Sequence, residues 1–188
     1  MRRIVRALVC IAAVGACGPT IHLEHQAPAT FHTEPGGYER AEVTRVVDGD
    51  TIVVLITGRV DGPSTGAAEI GTEHSVRLVG IDTPESVDPN SDVECYGPEA
   101  SSATKSLLEG RDVVLVKDLE ERDGYDRLLR YVYIGDEMAN ARLVVNGYAH
   151  DYPYPPNVRH ADLFAQLERE ARESDRGLWS PGTCNGHQ

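Results

Sequence analysis

Residues 77–85 read Arg-Leu-Val-Gly-Ile-Asp-Thr-Pro-Glu, and the fold turns on how they are read. Leu78, Val79 and Ile81, with the small Gly80 among them, suit a strand crossing a barrel wall. Asp82 and Glu85 stand on either side of a Thr-Pro bend. Pro84 fixes its own φ and pushes Thr83 towards extended geometry, so the bend is stiff. Two carboxylates on a stiff bend can hold a hard cation beside a water. Arg77, just upstream, is the planar donor that suits a phosphate. Taken alone, the stretch reads equally well as a strand that ends in a solvated acidic turn.

Upstream, residues 42–47 and 51–57 are β-branched runs joined through Asp48-Gly49-Asp50. Asp-Gly between such runs predicts a hairpin. Residues 58–73 are polar and glycine-rich and read as a long loop before a third strand, 74–79. Downstream comes an acidic loop, 86–94. Gly97-Pro98-Glu99 then opens a helix with Ala100, Ala103, Leu107 and Leu108 inward and Gly110 beyond its end. Residues 112–117 and 128–134 are the fourth and fifth strands, around a charged loop at 118–126. A short helix at 138–146, an aromatic and proline-rich stretch at 148–157, and an amphipathic helix at 159–173 complete the pattern. Five short strands with about three helices suit an α+β protein built on an OB-fold five-stranded β-barrel.

The chain has 188 residues and a formal net charge of −12. That acidity argues against broad electrostatic capture of nucleic acid, because non-specific affinity comes from Lys and Arg neutralising phosphates. The only lysines are Lys105 and Lys117, so contact with a polyanion has to be local and carried by arginine. Residues 1–17 carry Arg2, Arg3 and Arg6 ahead of a short apolar run, which is the pattern of a secretory leader. Val14-Gly15-Ala16-Cys17 resembles a bacterial lipoprotein box, with cleavage before Cys17 and lipidation on it. The expected location is then the cell envelope through a membrane anchor, or outside the cell if Cys17 is not lipidated. Residues 18–40 read as a flexible tether, 41–182 as the domain and 183–188 as a tail. His22, His25 and His32 in the tether match no closed metal site. With Cys10 and Cys17 assigned to the leader and anchor, Cys95 and Cys184 are left to form one disulfide.

Three segments, taken in order, carry a resemblance. Residues 46–51 read Val-Val-Asp-Gly-Asp-Thr, then come 77–85, then 123–133, Asp-Gly-Tyr-Asp-Arg-Leu-Leu-Arg-Tyr-Val-Tyr. With Tyr-Gly-Pro-Glu-Ala-Ser at 96–101 and Gly-Leu-Trp-Ser at 177–180, the chain resembles the staphylococcal nuclease family, the thermonucleases. The resemblance runs from about residue 42 to 180. It implies a calcium-dependent nuclease acting on DNA, with RNA an open second substrate, and leaving 3′-phosphate ends. It assigns calcium to Asp50, Asp82 and the main-chain carbonyl of Thr83. Glu85 becomes the general base or the group that orients water, Arg77 and Arg127 the phosphate clamp, and Tyr125 and Tyr152 substrate contacts. Asp48 reads as a structural turn residue or a support for its neighbours, and Tyr154 as a site wall or as packing. Arg130, at odd spacing from Arg127, is expected at the surface. Trp179 is expected to pack the last helix. The chain departs from the pattern at Gly124, where the family often carries lysine, and at Asp126, where glycine is usual. No protein partner is implied and a monomer is expected. The competing readings are a non-catalytic binding module and a calcium-stabilised structural lipoprotein.

Overall fold

The computed structural model describes residues 31–86 and 93–184. The leader, the lipid-anchor position Cys17, and His22 and His25 lie outside the described residues. A long hairpin, β1 (Tyr38–Asp48) and β2 (Thr51–Val60), begins the barrel. β3 (Glu73–Leu78) pairs antiparallel with β2. β5 (Asp112–Val116) pairs with β1, and β6 (Leu128–Ile134) with β5. A parallel pairing of β3 with β6 (Val76 opposite Leu128, Arg77 opposite Leu129) closes the five strands into a barrel. Two short pairs are added: β7 (Glu137–Met138) on β6, and β4 (Ile81–Asp82) with β8 (His150–Asp151). The five-stranded α+β architecture expected from the sequence is the one observed.

Alternation explains the wall. Ile52, Val54 and Ile56 of β2 point inward and are fully buried, as are Val76 and Leu78 of β3. β6 is the exception, because all but its last residue are buried. Three helices cover the barrel. α1 (Gly97–Leu108) carries proline in its first turn, buries Ala100, Ala103, Leu107 and Leu108, and packs on β1. α2 (Ala139–Val145) ends before Gly147, whose φ of +74 closes the turn. α3 (Ala161–Glu173) buries Phe164, Leu167 and Ala171 at helical spacing.

Three expectations are corrected. The tether does not run to Arg40. β1 starts at Tyr38, Phe31 packs edge-on against Tyr38 and Tyr133, and Glu34 is buried among Tyr133, Arg159 and His160. The polar run 58–73 is not wholly a loop, since β2 extends to Val60 and β3 begins at Glu73. Its middle is folded onto the barrel, with Ser64 and Ala68 buried. Arg130 is not on the surface. Its side chain is 0% exposed, with Nε 2.7 Å from Glu39 and Nη2 bound to Glu121. Spacing along β6 gave the wrong side because both faces of that strand are covered. The loop over Arg130 supplies the cover: a β-carbon at Gly66 would lie 1.9 Å from the guanidinium.

Candidate active site

Two turns meet at one end of the barrel. The β1–β2 turn carries Asp48, Gly49 and Asp50, and the segment leaving β3 carries Arg77, Asp82, Thr83 and Glu85. They are pinned together by backbone. Leu78 N–H donates to the Asp50 carbonyl at 2.9 Å, while Val79 N–H ties the same segment to β6 through the Arg130 carbonyl at 3.1 Å. Gly49 fits only because it lacks a side chain, as a β-carbon there would sit 2.5 Å from Thr83 Oγ1. Thr104 of α1 donates its hydroxyl to the Gly49 carbonyl, so the first helix braces the turn from behind. Gly80, at φ +84, reverses the chain between β3 and β4.

Arg77 is the hub. Nη2 lies 3.0 Å from Asp50 Oδ2 and 2.8 Å from Asp82 Oδ1, while Nη1 donates to the carbonyls of Leu78 and Ile81. Asp50 also accepts from the N–H of Thr83 at 3.1 Å and from the Thr51 hydroxyl at 3.0 Å. Arg127 approaches from the loop before β6. Its Nε binds Asp123 at 2.7 Å, its Nη1 reaches Thr51 Oγ1 at 3.2 Å, and it lies 5.5 Å from the Tyr125 ring centroid. Asp123 organises this loop by accepting the N–H groups of both Tyr125 and Arg127 at 2.9 Å. Burial alone would raise its carboxyl, but those bonds and the Arg127 charge hold it below the usual carboxylate range.

Asp48, Asp50, Asp82, Thr83, Glu85, Arg77, Arg127 and Tyr125 line one hollow of about 680 Å³. A second cleft of about 250 Å³ adjoins it, lined by Arg77, Asp82, Tyr125, Arg127, Tyr152 and Tyr154 among others. The β4–β8 pair places Tyr152 there, and its N–H is bound to the Gly80 carbonyl at 3.0 Å. Tyr125 is 85% and Tyr152 52% exposed, so both rings offer a free face. Asp48 is buried. Its carboxyl is pushed up to about 6, chiefly by burial and further by the Glu85 carboxyl hydrogen-bonded to it; Ser86 Oγ donates to it in opposition. The residues named from the sequence for catalysis, cation and substrate are thus brought to one end of the barrel. Cys95 and Cys184 are joined in a disulfide there as well, and Trp179 packs edge-on against His150. Neither the 61–72 segment nor Asp126 lines either hollow. Asp126 instead pairs with Arg122 at 3.4 Å.

Asp123, which the sequence offers only as the first residue of the motif at 123–133, positions Arg127 and its loop. The Asp-Gly pair at 123–124 was a usable signal, because an aspartate side chain readily bonds the backbone two residues on. The sequence reading also missed Thr51, which links Asp50 to Arg127, and nothing in its neighbours signals that role.

The donor set fits a hard cation in kind. Asp50 and Asp82 converge on one guanidinium nitrogen, and every candidate donor is oxygen. Among the described residues no three His, Cys, Asp or Glu side chains could enclose an ion by themselves. Two carboxylates, a main-chain carbonyl and water would have to complete the shell.

An OB barrel with paired carboxylates, paired arginines and exposed tyrosines at one end has side chains whose chemistry suits a phosphate ester. A family model described as staphylococcal nuclease homologue matches residues 75–181. The chain is 40% identical over 137 residues to a thermonuclease of Staphylococcus intermedius, spanning 73% of this chain and 74% of the relative. It is 36% identical over 160 residues to a thermonuclease of Staphylococcus hyicus, spanning 80% and 87%. It is 38% identical over 146 residues to an SPbeta prophage-derived endonuclease of Bacillus subtilis, spanning 76% of this chain and 45% of that protein. The chain belongs to the staphylococcal nuclease family.

Proposed function

We propose that the protein is a calcium-dependent nuclease that hydrolyses phosphodiester bonds of DNA, and of RNA as a second substrate, with little sequence preference. The observation that carries this reading is the hollow itself, where Glu85, Arg77 and Arg127 converge with Asp50 and Asp82. The names of the relatives, thermonucleases and an endonuclease, support it.

Each residue has work matched to its chemistry. Arg77 and Arg127 present guanidinium donors to the non-bridging phosphate oxygens and stabilise the charge that grows there. Glu85 orients the attacking water and accepts its proton; Asp48, bonded to it, fixes the direction of its carboxyl. Asp50, Asp82 and the Thr83 carbonyl would hold calcium, which when bound supplies Lewis-acid stabilisation at the phosphoryl group. Tyr125 and Tyr152 receive bases or sugars by stacking, which tolerates any sequence. Expulsion of the 5′ oxygen would leave a 3′-phosphate end. We also propose export, with Cys17 as a lipid anchor. The leader pattern supports this, as does a disulfide, which persists in oxidising compartments.

The test is cleavage of single- and double-stranded DNA with calcium, with a chelator, and by Glu85→Gln and Arg77→Ala. Calcium-dependent cutting that both variants lose while folded is the expected result. A folded, calcium-supplied wild type that cuts nothing across pH and salt would sink the reading.

A further inference from the structure

Glu85 lies on the segment that follows β4 (Ile81–Asp82). On its N-terminal side the chain is fixed by Pro84 and by Thr83, whose N–H is bound to Asp50. On its C-terminal side a single residue takes over both backbone groups. Glu94 Oε2 accepts the Glu85 N–H at 2.7 Å, and Glu94 N–H donates to the Glu85 carbonyl at 2.9 Å. The first of these bonds is charge-assisted and short. Gly97 packs on the same carbonyl so closely that a β-carbon would lie 2.5 Å from it.

Glu94 is itself held from one side by covalent chemistry. The next residue, Cys95, is bonded to Cys184, 89 positions away at the far end of the described chain. The residue after that, Tyr96, adopts a left-handed conformation at φ +73 and stacks on Tyr148 with ring centroids 5.7 Å apart. Gly97 N–H closes the turn onto the Glu94 carbonyl at 3.1 Å. A disulfide at that point does more than tie down a terminus, because it fixes the segment whose side chain and backbone bracket Glu85.

We infer that Glu94 is a positioning residue for Glu85 and that the Cys95–Cys184 disulfide acts on the site through it. The inference rests on the hydrolytic reading above. Glu94 reaches neither hollow and touches no reacting group. Its effect passes through the backbone of Glu85, so it governs turnover and leaves substrate affinity to Arg77, Arg127 and the tyrosines.

The test is steady-state cleavage of a short DNA duplex with calcium, at a temperature where circular dichroism shows every variant folded. The variants are Glu94→Ala, Glu94→Gln, the pair Cys95→Ser with Cys184→Ser, and that pair combined with Glu94→Ala. Wild type and Glu85→Gln run alongside. Displacement of a catalytic group by about an ångström costs on the order of 10²-fold. Glu94→Ala is therefore expected to lower kcat between about 10- and 100-fold with KM within about two-fold. Glu94→Gln keeps an acceptor oxygen and is expected to recover most of the loss. The serine pair is expected to lower kcat in the wild-type background and to add little once Glu94 is alanine, because coupled sites are not additive. Glu94→Ala at wild-type kcat, a loss that falls on KM, or equal effects of the serine pair in both backgrounds would overturn the inference while leaving the nuclease reading intact. A wild type that does not cut, or a Glu85→Gln that cuts as well as wild type, would remove the reading and the inference together.

Discussion

Replacing Arg130 by methionine should be among the most destabilising single changes in this chain. The side chain is fully enclosed. Its Nε is bound to Glu39, also 0% exposed, its Nη2 to Glu121, and its Nη1 to the carbonyls of Glu121 and Leu129. Methionine fills much of the volume but none of those roles. Glu39 would then keep a buried carboxylate with the Ala68 N–H, at 3.1 Å, as its remaining partner in this network. Breaking a buried pair from one side costs about 3–5 kcal/mol, since the charge left behind is uncompensated. For a domain of this size that is a fall in Tm of roughly 10 °C, at about 2–4 °C per kcal/mol. Urea unfolding followed by tryptophan fluorescence measures it, with Trp179 as the single reporter. The second arm is decisive. Glu39→Gln combined with Arg130→Met removes the stranded charge and should recover at least about 1 kcal/mol of the loss relative to simple addition. A single variant within about 1 kcal/mol of wild type would refute the burial argument. Strict additivity of the two changes would refute the ion-pair argument.

Three further outcomes follow from the site and its supports. Asp123→Asn keeps the turn but removes the charge facing Arg127; about ten-fold loss in kcat/KM is expected, with a larger loss for Asp123→Ala, read by DNA cleavage. Burial would raise the Glu34 carboxyl, yet hydrogen bonds from His160 and Tyr133 and the charges of His160 and Arg159 hold it below its ordinary 4.5. A depressed acid adds stability that is fully present above 4.5 and is lost as pH falls through its folded value; Glu34→Gln should flatten the acid limb of a Tm–pH profile, and parallel profiles would contradict this. Calcium at about 100 times its dissociation constant should stabilise the fold by roughly 2.7 kcal/mol, and Asp50→Asn should abolish that gain in a calorimetric scan.

Much of the barrel was legible because its determinants are local. The Asp-Gly turn, the alternation in β2, the proline that opens α1 and the glycine beyond it each specify their element without help from distant residues. The site residues were legible because they sit on those same turns. What escaped the sequence depends on long-range contact. Arg130 reads as a surface residue until a loop some 60 positions earlier, closing at Gly66, is seen to cover it. Glu34 reads as linker until the turn leading into α3 supplies Arg159 and His160. Glu94 reads as one more acid in an acidic loop, because what distinguishes it is a backbone it meets in space. β6 defeated spacing for the same reason: period-two reasoning assumes one wet face, and this strand has none over most of its length.

The charge of the protein bears directly on how such a site can work. A chain of net charge −12 repels a polyanion at long range, so its field does not steer the substrate in. The hollow repeats the problem on a small scale, with four carboxylates facing two guanidiniums. Those guanidiniums are already engaged, Arg77 by Asp50 and Asp82 and Arg127 by Asp123. A divalent cation shared by Asp50 and Asp82 would balance the lining and lessen their hold on Arg77. Phosphate binding and cation binding would then be one electrostatic event, with neither ligand well accommodated alone. The remaining affinity has to come from contacts that ignore charge, and Tyr125 and Tyr152 supply the exposed rings for it. Affinity built in this way would release few counterions, and a shallow dependence of DNA binding on salt is the expected outcome.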